Sequence, residues 1–123
     1  MFGESFLLIW DKSPAGVLPD HNRGYRRVYE TALFCKKGDP KVLQPTGLIA
    51  RASSSKVKHP SEKAEPVLEK FLTPLVDETT RMLDPTCGSG NAVKIARRLK
   101  AAYSLGIEMD KDFCMRAKLN VGV

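Results

Sequence analysis

At 123 residues, with 42% hydrophobic and 28% charged side chains, the chain is at most one domain with a modest core. A net charge of +6 and a pI near 9.4 fit a nucleic-acid partner, a property shared with ribosomal and membrane-surface proteins. The opening Met1-Phe2-Gly3-Glu4 is not a secretory signal, no apolar run reaches membrane-spanning length, and three cysteines without metal-type spacing imply reduced thiols in the cytoplasm.

Charge is unevenly placed. Residues 1–63 hold 11 Lys and Arg against 6 Asp and Glu, whereas residues 64–123 hold 9 against 8. Phe6-Leu7-Leu8-Ile9-Trp10 is a continuous apolar run that predicts a strand buried on both faces, closed by the loop composition of Asp11 to Gly16. Residues 17–27 read as irregular. There Arg23, Arg26 and Arg27 surround Tyr25, a set able to grip phosphate and stack a base; the alternative is a solvated basic loop. Val28 to Cys35 predicts a second strand. Residues 41–58 are polar and basic, carry Ser53-Ser54-Ser55 and show no periodicity, which reads as a connector.

Val67, Leu68, Phe71, Leu72, Leu75 and Val76 recur on one stripe of a predicted helix that follows His59-Pro60-Ser61-Glu62-Lys63. Pro66 suits its first turn, and Pro74 predicts a kink or break, because it removes a hydrogen bond and crowds the carbonyl of Lys70. A buried strand is then expected over Thr79 to Leu83, followed by the turn Asp84-Pro85-Thr86-Cys87-Gly88-Ser89-Gly90 and a helix entered at Asn91. Gly88 and Gly90 admit positive φ and the close approach of another backbone or a ligand. The helix start offers free N–H groups and a positive dipole end. Ala92, Ile95, Ala96 and Leu99 are expected to face a sheet. Tyr103 to Ile107 predicts the next strand, and Glu108 ends it about 20 residues past the glycines, where a nucleotide-type ribose is held by its hydroxyls. Asp110 is the expected N-cap of a last helix over 111–119, with Phe113, Cys114 and Ala117 inward.

The wording around the turn is more specific than its glycines. Asp84-Pro85-Thr86-Cys87-Gly88-Ser89-Gly90, preceded by His59-Pro60-Ser61-Glu62-Lys63 and followed by Gly106-Ile107-Glu108, resembles the amino-group DNA methyltransferases. These proteins methylate the exocyclic nitrogen of adenine or cytosine, and the wording Val76-Asp77-Glu78-Thr79-Thr80 is similar to their phage-associated members. The resemblance implies a Rossmann-like α/β fold and S-adenosylmethionine as cofactor. It also implies cofactor contacts from Asp84, Pro85, Cys87, Gly88, Gly90 and Glu108, with His59, Ser61 and Lys63 as outer candidates. Asp84 would sit near the methionine amino group and Glu108 on the ribose hydroxyls. Trp10, Asp11 and Lys12 match a family strand ending in Trp-x-Lys, and Tyr29 and Glu30 match its neighbour. The family usually has Lys-Pro where this chain has Lys63-Ala64. DNA is the implied partner, with Lys12, Arg23, Arg26 and Arg27 as the candidate contacts.

The family's Asp/Asn-Pro-Pro-Tyr/Phe tetrapeptide is absent from the 123 residues. The expectation is therefore the C-terminal part of a methyltransferase domain: a strand-pair region at 1–40, a basic linker at 41–60 and a cofactor half at 61–123. Such a part would come from a truncated gene, an internal start or one half of a split enzyme whose missing N-terminal half carries the catalytic segment, and two sheet fragments with bare edges would remain here. The competing reading is a non-catalytic nucleic-acid-binding remnant of the same fold.

Overall fold

The computed structural model describes residues 3–12, 24, 28–40, 42–43, 47, 49–51 and 62–123. In chain order these give β1 (Ser5–Asp11), β2 (Tyr29–Cys35), β3 (Ile49–Arg51), α1 (Glu65–Leu72), β4 (Arg81–Asp84), α2 (Asn91–Arg98), β5 (Tyr103–Gly106) and α3 (Lys111–Val121). The strands form two separate sheets. One has the order β2-β1-β3, and the other pairs β4 with β5.

In the first sheet β1 and β2 run antiparallel, with Ser5 opposite Cys35 and Asp11 opposite Tyr29. β3 joins β1 in parallel, with Trp10 opposite Ala50. This short strand lies where the sequence suggests a plain connector. Three residues are too few to show a period of two, and only tertiary pairing to β1 makes them a strand. β1 itself is not buried on both faces: Phe6 is 38% and Leu7 52% exposed, and burial concentrates at Trp10. A small core joins Trp10 to Ala50, Ala64 and Val67, with Phe71 packed beside it, so α1 closes over the end of this sheet.

α1 begins with Pro66 in its first turn and stops at Leu72. Pro74 breaks the helix rather than kinking it, because the N–H groups of Leu75 and Val76 turn back onto the Leu72 carbonyl. The following strand starts two residues later than the apolar pattern implies. Asp77 Oδ1 accepts from the N–H and hydroxyl of Thr79 and from the Thr80 hydroxyl, and this side-chain turn holds 77–79 out of the ladder, which Thr80 joins only through its carbonyl, accepting from Tyr103 N–H.

β4 and β5 are parallel, with Asp84 opposite Gly106, and α2 connects them. Their pairing continues past the strand ends through Ile107 N–H to the Asp84 carbonyl and Cys87 N–H to the Ile107 carbonyl. Alternation divides the pair. Met82, Asp84, Ser104 and Gly106 are on the half-buried side, and a Cβ on Gly106 would touch Val93 of α2. The opposite side is bare, with Leu83 59% and Leu105 42% exposed, and with Tyr103 and Ile107 beside them. α2 buries Val93, Ile95 and Ala96, while Ala92 and Leu99 are half-buried, so the inward face is shifted from the expected one to include Val93. In α3, Asp110 accepts from the N–H groups of Asp112 and Phe113 as its N-cap. Ala117 is buried, with Phe113 and Cys114 half-buried.

Candidate cofactor-binding site

The turn between β4 and α2 is held from three sides. Glu108 lies two residues beyond Gly106, and its carboxylate folds back on the turn: Oε2 accepts from Gly88 N–H at 2.8 Å, and Oε1 from Asp110 N–H at 2.9 Å. Two backbone donors fix this acid at the C-terminal ends of both parallel strands, the position at which open α/β sheets receive ligands. Asp84 Oδ1 accepts from Thr86 N–H at 3.1 Å, which shapes the start of the turn.

The two glycines do different work. Gly88 has φ of 51°, and an added Cβ would meet nothing within 4 Å, so its positive φ leaves open space above the turn. Gly90, with φ of 81°, caps α2, and its missing Cβ makes room for α3: a Cβ would lie 3.1 Å from both Ala117 Cβ and Val121 Cγ2. A third glycine matters as much. On Gly106 a Cβ would come within 2.7 Å of Cys87 Sγ, so Cys87 packs on a position that only glycine allows. Burial pushes the Cys87 thiol above its ordinary range, and the negative charges of Asp84 and Glu108 add to that shift.

On the far side of the turn is a polar knot. Glu62 Oε1 accepts from Ser89 Oγ at 3.0 Å and from Asn91 Nδ2 at 2.8 Å. Asn91 Nδ2 also reaches the Lys63 carbonyl at 3.1 Å. Asn120 of α3 donates from Nδ2 to the Ser89 carbonyl at 2.9 Å and to Asn91 Oδ1 at 2.8 Å. The segment before α1, the start of α2 and the end of α3 therefore meet at one point. Glu62, Ser89, Asn91 and Asn120 are functional candidates that sequence reasoning did not single out. Asn91 at a helix entry and a Glu four residues ahead of Pro66 were visible, but no local pattern links positions 62, 89 and 120.

The outer candidates divide. Lys63 has its backbone at the knot, but its ammonium pairs with Glu30 of β2 at 2.6 Å. Lys12, expected on DNA, pairs with the same Glu30 and stands over the Trp10 ring, 4.3 Å from its centroid. Burial pushes the Glu30 carboxyl upward, but the hydrogen bonds from Lys12 and Lys63 outweigh it and hold the group below the usual range. Pro85 is exposed at the turn. His59, Ser61, Arg23, Arg26 and Arg27 lie outside the described residues. Among the described residues no His, Cys, Asp and Glu cluster is arranged to hold a metal ion.

No protein-family model matches the chain. Two curated proteins do. One is the type II methyltransferase M2.LlaDCHI of Lactococcus lactis subsp. cremoris, 32% identical over 102 residues, which span 79% of this chain and 38% of that protein. The other is the type II methyltransferase M2.DpnII of Streptococcus pneumoniae, 34% identical over 61 residues, or 50% of this chain and 22% of that protein. The fold matches the crystal structure of an M1.HpyAVI–SAM complex with a TM-score of 0.76 and 26% identity, over 96% of this chain and 60% of that one. The chain is a relative of the DNA methyltransferases. Its fold is an incomplete Rossmann-like methyltransferase fold, and it spans less than two fifths of the curated relatives that it matches. The bare side of β4–β5 fits that incompleteness, since parallel strands are normally covered on both faces.

Proposed function

We propose that this chain is the cofactor-binding, C-terminal portion of an S-adenosylmethionine-dependent DNA methyltransferase that acts on an exocyclic amino group, adenine before cytosine. The observation that carries the reading is Glu108, fixed by Gly88 and Asp110 N–H at the ends of two parallel strands beside an open glycine. In that position it accepts hydrogen bonds from the two ribose hydroxyls. Gly88 leaves room for the ligand backbone, and Asp84 offers a carboxylate to the methionine ammonium. S-adenosylmethionine bound there supplies an electrophilic methyl group. A basic first half and DNA methyltransferase relatives support DNA as the substrate and the cytoplasm as the setting. No helix among the described residues is long and apolar enough to cross a membrane.

Attack by an exocyclic amine needs acceptors for the charge that develops on nitrogen and a stacking partner for the extruded base. The tetrapeptide that provides both in the resembled family is absent from this sequence. A second segment, carrying Asp-Pro-Pro-Tyr on its own strand, completes the site in this reading. It docks at the edge of β4 that no described strand pairs. The test is transfer of labelled methyl from S-adenosylmethionine to DNA by residues 1–123, with and without such a segment added in trans. The expected result is no turnover alone and turnover with the segment. Turnover by the chain alone would place the acceptors among residues assigned here to structure.

A further inference from the structure

We propose that Glu30, on β2 of the other sheet, is a positioning residue for the cofactor turn: it grips Lys63 and so holds the two residues that brace Ser89 and Asn91. The inference rests on the cofactor reading above and adds to it a residue from outside the turn.

Residues 62–64 reach in three directions. The Glu62 carboxylate accepts from Ser89 Oγ at 3.0 Å and from Asn91 Nδ2 at 2.8 Å, and the Lys63 carbonyl accepts from Asn91 Nδ2 at 3.1 Å. The Lys63 side chain leaves the other way, and its ammonium donates to Glu30 Oε2 at 2.6 Å. Ala64 is buried in the core with Trp10, Ala50 and Val67. α1 does not fix this approach by itself, since among the described residues its N-cap, Ala64, makes no side-chain cap hydrogen bond. The brace is thus set by the burial of Ala64 and by Glu30.

Glu30 is suited to the task. It lies within β2 directly opposite the buried Trp10, so its backbone is fixed by the antiparallel ladder rather than by a loop. Lys12 of β1 takes its other carboxylate oxygen and stands over the Trp10 ring, which holds the carboxylate on that face. Without the pair, the Lys63 ammonium turns to water and residues 62–63 lose a restraint. The turn is then less ordered before a ligand arrives, and binding must supply that order.

Amide hydrogen exchange of the full chain without ligand is the first readout. Glu30→Gln and Lys63→Met should each speed exchange over residues 88–91 about threefold, the scale of a part-exposed ion pair. The double variant should be no faster than either, because both remove one interaction. Exchange in the β1–β2 ladder should not change. Glu4→Gln is the control: it removes the Lys36 ion pair at the far end of the same strands and should leave 88–91 as in the wild type. Titration of S-adenosylmethionine is the second readout, with affinity about threefold weaker in Glu30→Gln and Lys63→Met and unchanged in Glu4→Gln. Unaltered exchange over 88–91 in both single variants overturns the proposal. So does an equal rise over the whole chain, the mark of a merely structural charge, or faster exchange of the turn with unaltered affinity. Should Glu30→Gln not fold, Lys63→Met decides by the same outcomes. Failure of the wild type to bind S-adenosylmethionine overturns the cofactor reading, and exchange then still decides whether Glu30 orders the turn.

Discussion

Gly106 is the residue whose replacement has the most direct consequence. It is not one of the motif glycines and has no positive φ; its value is the space taken by Cys87 Sγ, which an added methyl would enter at 2.7 Å. Overpacking of this kind costs roughly 1–3 kcal/mol. Gly106→Ala is therefore expected to lower the urea midpoint, and Gly106→Ala with Cys87→Ser should recover part of the loss. Cys87 itself should alkylate slowly. Its thiol titrates above the ordinary value of 9.0, first from burial and then from the Asp84 and Glu108 charges. Because the folded value is raised, the neutral thiol is favoured, and its stabilising contribution is full below pH 9 and is lost as pH rises through the folded value. Iodoacetamide labelling followed against pH checks this: the half-maximal rate should fall above pH 9, and a midpoint below that would show an activated thiol instead.

Among the elements, the caps were legible and the strand limits were not. Asp110 reads as an N-cap in the sequence and is one, accepting from Asp112 and Phe113 N–H at 2.9 and 3.0 Å. Asp110→Ala should cost about 1 kcal/mol, measured by denaturation, and reduce the helical signal of α3. Because Asp110 N–H also holds Glu108, the same variant should weaken cofactor binding if its backbone shifts. Pro66 and Pro74 marked the start and end of α1 for a chemical reason, the missing N–H. β3 was hidden because three residues have no period, and the start of β4 because the Asp77 side chain competes for the backbone. The glycine turn and Glu108 were legible since they follow one another in sequence at a spacing set by one βαβ unit. The Glu62–Ser89–Asn91–Asn120 knot joins three distant segments, and nothing local announces it. Lys12 and Lys63 read as ligand contacts, but the structure gives both to Glu30, a carboxylate from another strand.

For the whole molecule, α1 packs on β3 on one side and on α2 on the other, and among the described residues no strand pairs one sheet with the other. A chain spanning 60% of its structural relative leaves one face of β4–β5 exposed. Such a face and edge invite self-association, which a charge change on it should suppress: Leu83→Lys is expected to shift sedimentation toward monomer without loss of α2 packing. The carboxylate of Glu108, presented at the strand ends, is the central group of the cofactor site. Its most direct test is calorimetric titration of S-adenosylmethionine into the full chain, beside Glu108→Ala. Saturable one-to-one binding is predicted for the wild type, weakened in the variant by roughly 1.5–3 kcal/mol, the range for a hydrogen-bonded charged group. The variant should also lose about 1 kcal/mol of stability, since Gly88 and Asp110 N–H lose their acceptor. Equal affinity in the two proteins, or no binding by a folded wild type, would contradict the assignment of this turn as the cofactor site.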